Sequence, residues 1–484
     1  MRSNHFLILA LLFSSFSLFV LKVDGDPPHI LLINRSFSLV LDDLGWSDVG
    51  FHASTINTPN MDKLASEGVI VALAKSIYYV QPICSPTSAL LSGMYPIHTG
   101  LQSGVIRSTE PYGLALDITI LPQKLKEATT LFYTRPPMYC HTWAIGMCRC
   151  EGYGFQAVYS RIGYIHQNIW IYIQILASPA PNTVKWMSIS SAFYLQQAQK
   201  VILSHNASTP LFLCLPFQSV HSPLQVPTEY TEKYENIKDD DRKIYAGMVE
   251  NVDEAIGNIT EAMKTAGLWD NTLLIVTTDN GGASDEGGYN WPLRGEKGSL
   301  WEGGVRGVGF VHGKMLQRTG VTCKELFHVT DWYPILHLAG IEEDSDSSAL
   351  DGFNIWRAIS EGVPSERTEI LHNIDGNSAA IRVGDMKLLL NVKNQEWYEP
   401  PELSSGARKA KKKSGRKIRA ALYNITADPN ESQDLRRTYP DVVRTLRRRI
   451  RYYRRGEVPS GKQSSDPEAR KLARKNGYWG PWIN

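Results

Sequence analysis

Residues 249–282 read VENVDEAIGNITEAMKTAGLWDNTLLIVTTDNGG, and this stretch decides the fold. Val252, Ile256, Ile259 and Met263 recur at helical spacing, so a helix over Val249 to Ala266 has one apolar face that another layer must cover. Gly267 ends it, because glycine enters the left-handed conformation without steric cost. The apolar run Leu273-Leu274-Ile275-Val276 then reads as a short buried strand, and it breaks off into Thr277-Thr278-Asp279-Asn280 and two glycines. A helix followed at once by a buried strand is the unit of an α/β fold.

Two other apolar runs end in the same manner. Ser38-Leu39-Val40-Leu41 runs into Asp42-Asp43, and Leu211-Phe212-Leu213-Cys214-Leu215 is followed after a short turn by His221. Strands alternating with helices imply a largely parallel sheet, whose ligands gather beyond the carboxyl ends of the strands. The three polar clusters are therefore expected at one edge. The composition changes after about residue 360, where Ala380-Ile381-Arg382-Val383 and Lys387-Leu388-Leu389-Leu390 read as short antiparallel strands of a smaller α+β domain. A chain of 484 residues exceeds one ordinary core, and the expected organisation is a signal peptide over 1–25, a large domain over 26–360 and a small one over 361–484.

A formal net charge of +2 gives no overall pull toward nucleic acid or an anionic membrane. Cations do cluster locally, in a stretch from Ala407 to Arg419 that reads as a solvated loop and in another from Arg447 to Arg455. Either cluster is simple solvated charge or a contact for polyanionic glycans. At the amino terminus, Arg2 and His5 precede an apolar run from Phe6 to Leu21, with Val23-Asp24-Gly25 supplying small residues for cleavage. This run reads as a signal peptide. The competing membrane anchor needs roughly 20 apolar residues, and no later segment supplies a stable span. The expected compartment is thus the secretory pathway, lysosomal or extracellular. Sequons stand at Asn34, Asn206, Asn258, Asn424 and Asn430, and glycosylation would follow from that compartment. Six scattered cysteines are too few for a disulfide framework in so long a chain, and no zinc-finger spacing accompanies Cys148 and Cys150.

Chemistry concentrates where the strands end. Adjacent carboxylates disfavour joint ionisation unless a positive group stands between them. Asp42, Asp43 and Asp279, with the amide oxygen of Asn280, make an all-oxygen set of the kind that selects calcium or magnesium over zinc. An Asp-Asp pair alone also serves as a turn or a helix cap. Cys84-Ser85-Pro86-Thr87-Ser88-Ala89-Leu90-Leu91-Ser92-Gly93 opens a helix-like stretch. Its cysteine is either a small buried hydrophobe or a reactive thiol at a helix amino terminus.

The last segment resembles the sulfatase signature, in which a cysteine followed by x-Pro-Ser/Thr/Ala-Arg is oxidised to formylglycine. Further matches carry the resemblance: Leu41-Asp42-Asp43-Leu44-Gly45-Trp46-Ser47-Asp48-Val49-Gly50-Phe51-His52, then Gln218 to Pro227 around His221. Asp279 to Gly282, Asn290 to Gly295 with Lys297, and Leu300 to Gly307 are similar to the arylsulfatase B pattern, as is the closing Trp479-Gly480-Pro481-Trp482. The resemblance covers about Pro27 to Ile483, with a poor stretch from about Thr129 to Ser190. It implies an alkaline phosphatase-like fold, a central mixed sheet between helices with a small carboxyl-terminal sheet domain. It also implies that Asp42, Asp43, Asp279 and Asn280 bind one Ca²⁺ together with Cys84, and that Cys84 becomes formylglycine through a formylglycine-generating enzyme. In the same pattern His221 and Lys297 hold the sulfuryl oxygens of a sulfated glycan or small sulfate ester.

Three positions depart from the family pattern. The arginine expected between Thr87 and Ser88 is missing, so the signature is one residue short. In the second signature, which normally reads Gly-Lys-Trp-His-Leu-Gly, this chain has His141-Thr142-Trp143-Ala144-Ile145-Gly146. Thr142 replaces the lysine and Ala144 the histidine. Two functions are therefore expected to compete: a sulfuric ester hydrolase, and a catalytically impaired relative that binds sulfated ligands.

Overall fold

The computed structural model describes residues 29–33, 42–71, 77–78, 84–104, 106–107, 109–121, 123–124, 187–207, 211–215, 217, 219–334, 350–402 and 416–476. The expected signal segment 1–25, the run 38–41, Cys140, Thr142, Ala144, Cys148, Cys150 and the closing 479–482 lie outside the described residues. Among these residues the strands, in chain order, are β1 His29–Ile33, β2 Val69–Ile70, β3 Ile77–Tyr78, β4 Phe212–Cys214, β5 Thr272–Thr277 and β6 Gly309–His312. They continue with β7 Val321–Thr322, β8 Phe327–His328, β9 Glu369–Asp375, β10 Ser378–Val383, β11 Met386–Lys393 and β12 Lys417–Asn424.

Six strands form one mixed sheet in the order β4-β1-β5-β6-β2-β7. β1 pairs in parallel with both β4 and β5, and β6 runs antiparallel to its neighbours β5 and β2. All six residues of β5 are buried, which is why this strand reads as an uninterrupted apolar run. The helix Asp240–Thr265 covers one face of the sheet, packing Val249, Val252, Ile256, Ile259 and Met263 against Leu213, Leu274 and Val276. It starts nine residues earlier than its apolar spacing indicates, because Asp239 caps it by accepting from the Arg242 amide at 2.9 Å. Gly267 follows at φ +70°, and Leu268 donates back to the Met263 carbonyl at 2.9 Å. On the other face, Ala89 and Leu90 of the helix Cys84–Ser92 pack with Leu273, Ile275, Val329 and Trp332.

The strand expected over 38–41 lies outside the described residues, and the central position beside β5 belongs to His29–Ile33. Carboxyl-terminally, β9 to β12 form a separate antiparallel sheet in the order β12-β11-β10-β9. The expected boundary at 360/361 falls between the helix Trp356–Ser360 and β9. One face of this sheet, with Ile370, Ala380, Leu389 and Ala421, packs on Trp301 and Val305 of the larger unit. The other, with Leu371, Ile381, Leu388 and Leu422, is covered by Leu446 and Ile450 of the helix Pro440–Arg454. The loop expected over 407–419 is corrected at its end, since Lys417 to Arg419 open β12. Their cationic side chains alternate with the less exposed Ile418, so a strand keeps them in solvent.

Candidate functional site

β1, β4 and β5 are adjacent and parallel, so whatever follows their carboxyl ends must converge. Val220, just before His221, donates its amide to the Asp42 carbonyl at 3.1 Å, which fastens the segment after β4 to the acidic pair. The Asp43 amide in turn reaches Asp279 Oδ1 at 3.4 Å. Asp43 adopts φ +66°, a left-handed conformation that a non-glycine residue holds only when its surroundings enforce it. The outcome is three buried carboxylates, Asp42, Asp43 and Asp279, each offering an oxygen within 4.8 Å of the others.

Asn280 completes the set. Its Nδ2 donates to Asp43 Oδ1 and to the Gly281 carbonyl, both at 2.9 Å, while its buried Oδ1 accepts no hydrogen bond among the described residues. An amide oxygen left in this way is costly to bury unless a cation meets it. Lys297 donates to Asp43 Oδ2 at 2.6 Å, and His221 Nε2 lies 3.7 Å from the same oxygen. The His221 Nδ1–H donates to the Ser222 carbonyl at 2.6 Å, so Nε2 is the nitrogen that faces the cluster. Burial pushes the Asp43 carboxyl up, but Lys297 and then His221 outweigh it and hold this group below its ordinary value. Cys84 is the first residue of the helix Cys84–Ser92, and its side chain is outside the described set.

Close backbone approach is built into the glycines. A Cβ on Gly281 would stand 1.9 Å from the Gly303 carbonyl oxygen, so the Asp279-Asn280 turn and the Trp301-Glu302-Gly303 turn touch through bare backbone. The Lys297 amide donates to the Gly282 carbonyl at 3.0 Å, which places that lysine beside the acids.

Sequence reasoning assigned no role to four further residues. Asp48, buried beneath the acidic loop, accepts from Tyr245 Oη at 2.9 Å, from the Tyr289 amide at 2.8 Å and from Arg242 at 2.7 Å. Arg242 is itself buried and also meets Glu402 at 2.7 Å. Asn290 holds the Trp46 and Gly282 amides through its Oδ1 at 3.2 and 2.8 Å. Glu286 brings a carboxylate oxygen within 4.8 Å of groups on both Asp43 and His221. Asp48 and Asn290 both sit inside matched segments, so their positions were visible and their work was not. Glu286 lies between two such segments and carried no signal.

An all-oxygen, buried, convergent donor set fits Ca²⁺, which takes carboxylate and amide oxygens in flexible geometry. The Sulfatase family model matches residues 37–341 of the chain. Arylsulfatase J of Mus musculus is 40% identical over 498 residues, covering 94% of this chain and 80% of the relative. N-acetylgalactosamine-6-sulfatase of Rattus norvegicus is 25% identical over 482 residues, covering 90% and 87% respectively. Among solved structures, Ps i-CgsB in complex with k-i-k-neocarrahexaose superposes with a TM-score of 0.67 at 23% identity, covering 94% of this chain and 98% of that one. These matches support the family expected from the motifs, and not the B-like subtype.

Proposed function

The chain belongs to the sulfatase family, and from that premise we propose that it acts on sulfate esters of glycans or small molecules at the carboxyl ends of β1, β4 and β5. Sulfate ester hydrolysis is the chemistry of its relatives, an arylsulfatase and an N-acetylgalactosamine-6-sulfatase by name. The observation that carries the assignment is the convergence of three buried carboxylates within 4.8 Å, with Lys297 and His221 both directed at Asp43. Asp42, Asp43, Asp279 and Asn280 would hold one Ca²⁺, with Cys84 as the further ligand after its conversion to formylglycine. That ion would supply positive charge for the anionic ester when bound.

The remaining roles follow from charge and position. Lys297 and His221 present cationic or donating nitrogens to one point, where they bind and orient the sulfuryl oxygens. Formylglycine at residue 84, once hydrated, would supply the hydroxyl oxygen that accepts the sulfuryl group and gives up its own proton. The departing alcohol needs a proton, and His221, with both ring nitrogens carrying hydrogen, would give it from Nε2. The formylglycine-generating enzyme is the partner that this chemistry requires, and the apolar amino terminus supports a secretory, lysosomal or extracellular site of action. Among the described residues no helix is long and apolar enough to cross a membrane.

A second reading has its own support. The signature lacks the arginine between Thr87 and Ser88, and Thr142 and Ala144 stand where the family pattern has lysine and histidine. These losses favour a relative that binds sulfated ligands and turns them over slowly. Mass analysis of the Cys84 peptide from the secreted protein separates the two. Formylglycine, with aryl sulfate turnover that disappears in Cys84→Ala, supports the hydrolase; an unmodified thiol with retained binding of a sulfated saccharide supports the binder.

A further inference from the structure

The charge of this chain is segregated. Residues 416–476 hold 17 Lys+Arg against 7 Asp+Glu, so a segment at +10 sits in a chain whose total is +2. The helix Pro440–Arg454 concentrates that excess on one side. Arg444, Arg448, Arg451 and Arg455 fall at i, i+4, i+7 and i+11, with Arg447 beside them, and all five are exposed. Leu446 and Ile450 occupy the opposite face and are buried against the carboxyl-terminal sheet.

Polar bonds fasten the helix to the carboxyl-terminal sheet. Arg449 pairs with Glu369 of β9, Tyr453 Oη donates to the same carboxylate at 2.6 Å, and Arg454 donates to the Gly376 carbonyl at 2.6 Å. On the exposed side Arg444 pairs with Asp441 one turn away, whereas Arg447, Arg451 and Arg455 make no ion pair among the described residues. From Arg444 to Arg455 the stripe runs about 16 Å at the rise of an α-helix.

We propose that this arginine stripe is an exosite for the chain of a sulfated glycan, separate from the centre that takes the sulfate ester. Regularly spaced sulfates and carboxylates on a linear polymer complement a line of guanidinium forks, each able to take an anionic group through two parallel hydrogen bonds. The stripe and the acidic cluster stand on different elements. The stripe's helix reaches the larger unit through Tyr453, whose ring lies 5.8 Å from that of Tyr95, and the segment after it through Val458, whose amide donates to the Ile97 carbonyl at 2.7 Å. Tyr95 and Ile97 follow the carboxyl end of the helix Cys84–Ser92, so a helix length of about 13 Å separates this contact from Cys84. A polymer held at the stripe raises the effective concentration of its own esters at the site without adding any contact there. The choice of a glycan as occupant rests on the proposed function.

The test uses the full secreted chain and heparin as the probe, measured by salt elution and by equilibrium binding. Arg447→Ser, Arg451→Ser and Arg455→Ser combined should weaken heparin binding about tenfold, since each exposed cation contact contributes modestly. It should leave the melting temperature and any response to calcium unchanged. Lys63→Ser, Lys200→Ser and Lys238→Ser combined remove the same charge elsewhere and should leave heparin binding intact. Undiminished binding in the arginine variant, or an equal loss in the lysine variant, would overturn the exosite. So would equal or tighter binding of a single-stranded oligodeoxynucleotide or of phosphatidylserine vesicles under the same salt. Because heparin binding is read without hydrolysis and the calcium response is read separately, failure of the exosite is distinguishable from failure of the sulfatase assignment.

Discussion

Gly281 has no room for a side chain, because the turn that carries Asp279 and Asn280 lies against the Gly303 carbonyl. A methyl group there forces two backbone segments apart, and Gly281→Ala should destabilise the protein by about 2–3 kcal/mol. Urea denaturation checks this, and an unchanged midpoint would mean the two turns separate freely. Lys297 makes the complementary case, since it stands 2.6 Å from Asp43 and partly neutralises it. Lys297→Ala should weaken binding of a sulfated monosaccharide while leaving calcium affinity equal or higher, both readable by calorimetry. Loss of calcium binding in that variant would contradict a sulfate-facing role. At this scale the meeting of the acids with His221 and Lys297 was legible because each stands in a matched segment of distinctive composition. The work of Asp48 and Asn290 was not legible, since it consists of holding backbone amides from loops more than 200 residues apart in sequence. No local pattern encodes such pairings.

The helix Asp240–Thr265 is tied to the acidic loop by the Tyr245 hydroxyl and by a buried guanidinium. Arg242 bridges Asp48 and Glu402, with the side chains of arginine, aspartate and glutamate 1%, 0% and 7% exposed. Arg242→Met leaves Asp48 as a buried, uncompensated charge, at a cost of about 3–5 kcal/mol. Thermal and urea unfolding should both report this loss, and a change under 1 kcal/mol on the order of a surface pair would show that Asp48 is otherwise compensated. A second link joins the larger unit to the carboxyl-terminal sheet. Lys387 of β11 lies 2.7 Å from Glu302 and 3.0 Å from Glu431, all fully buried. Burial pushes the Glu431 carboxyl up to about 7, with Lys387 pulling it down and Glu302 pushing it further up. Glu302, buried beside Lys387, Arg306, Arg382 and His372, is held well below its ordinary value. A raised folded value means that the Glu431 contribution to stability is fully present below the unfolded value of 4.5 and is lost as pH rises through about 7. The depressed Glu302 acts only below that window. Melting temperature should therefore fall between pH 5 and pH 8 by more in the parent than in Glu431→Gln, and parallel curves would remove Glu431 as the cause. Helix and strand types were largely legible from apolar spacing. The start of the helix was missed because Arg242 reads as a solvent residue and is buried, and the end of the basic loop was missed because the strand Lys417–Asn424 opens on alternating charges.

Across the whole molecule, the family was legible from motifs spread along the chain, and its two-sheet architecture followed from them. What these motifs do not guarantee is turnover. Loss of one preorganised donor costs on the order of 10²- to 10³-fold in rate. The missing arginine, Thr142 and Ala144 remove up to three such groups, with effects that need not add. The unaltered protein should hydrolyse an aryl sulfate far more slowly than an ordinary sulfatase. Inserting arginine between Thr87 and Ser88 should restore part of that activity by enabling conversion of Cys84, and Thr142→Lys with Ala144→His should raise it further. Ordinary turnover in the unaltered chain, lost on Cys84→Ala, would show that other residues perform these roles. The central claim is narrower: Asp42, Asp43, Asp279 and Asn280 form a single cation site on which the rest depends. Calorimetric titration of the metal-stripped protein with Ca²⁺ addresses it directly. One bound ion per chain, abolished in Asp279→Ala while that variant keeps its fold by circular dichroism, is the expected result; a parent protein that takes up no calcium, or a variant that binds it undiminished, would contradict the account.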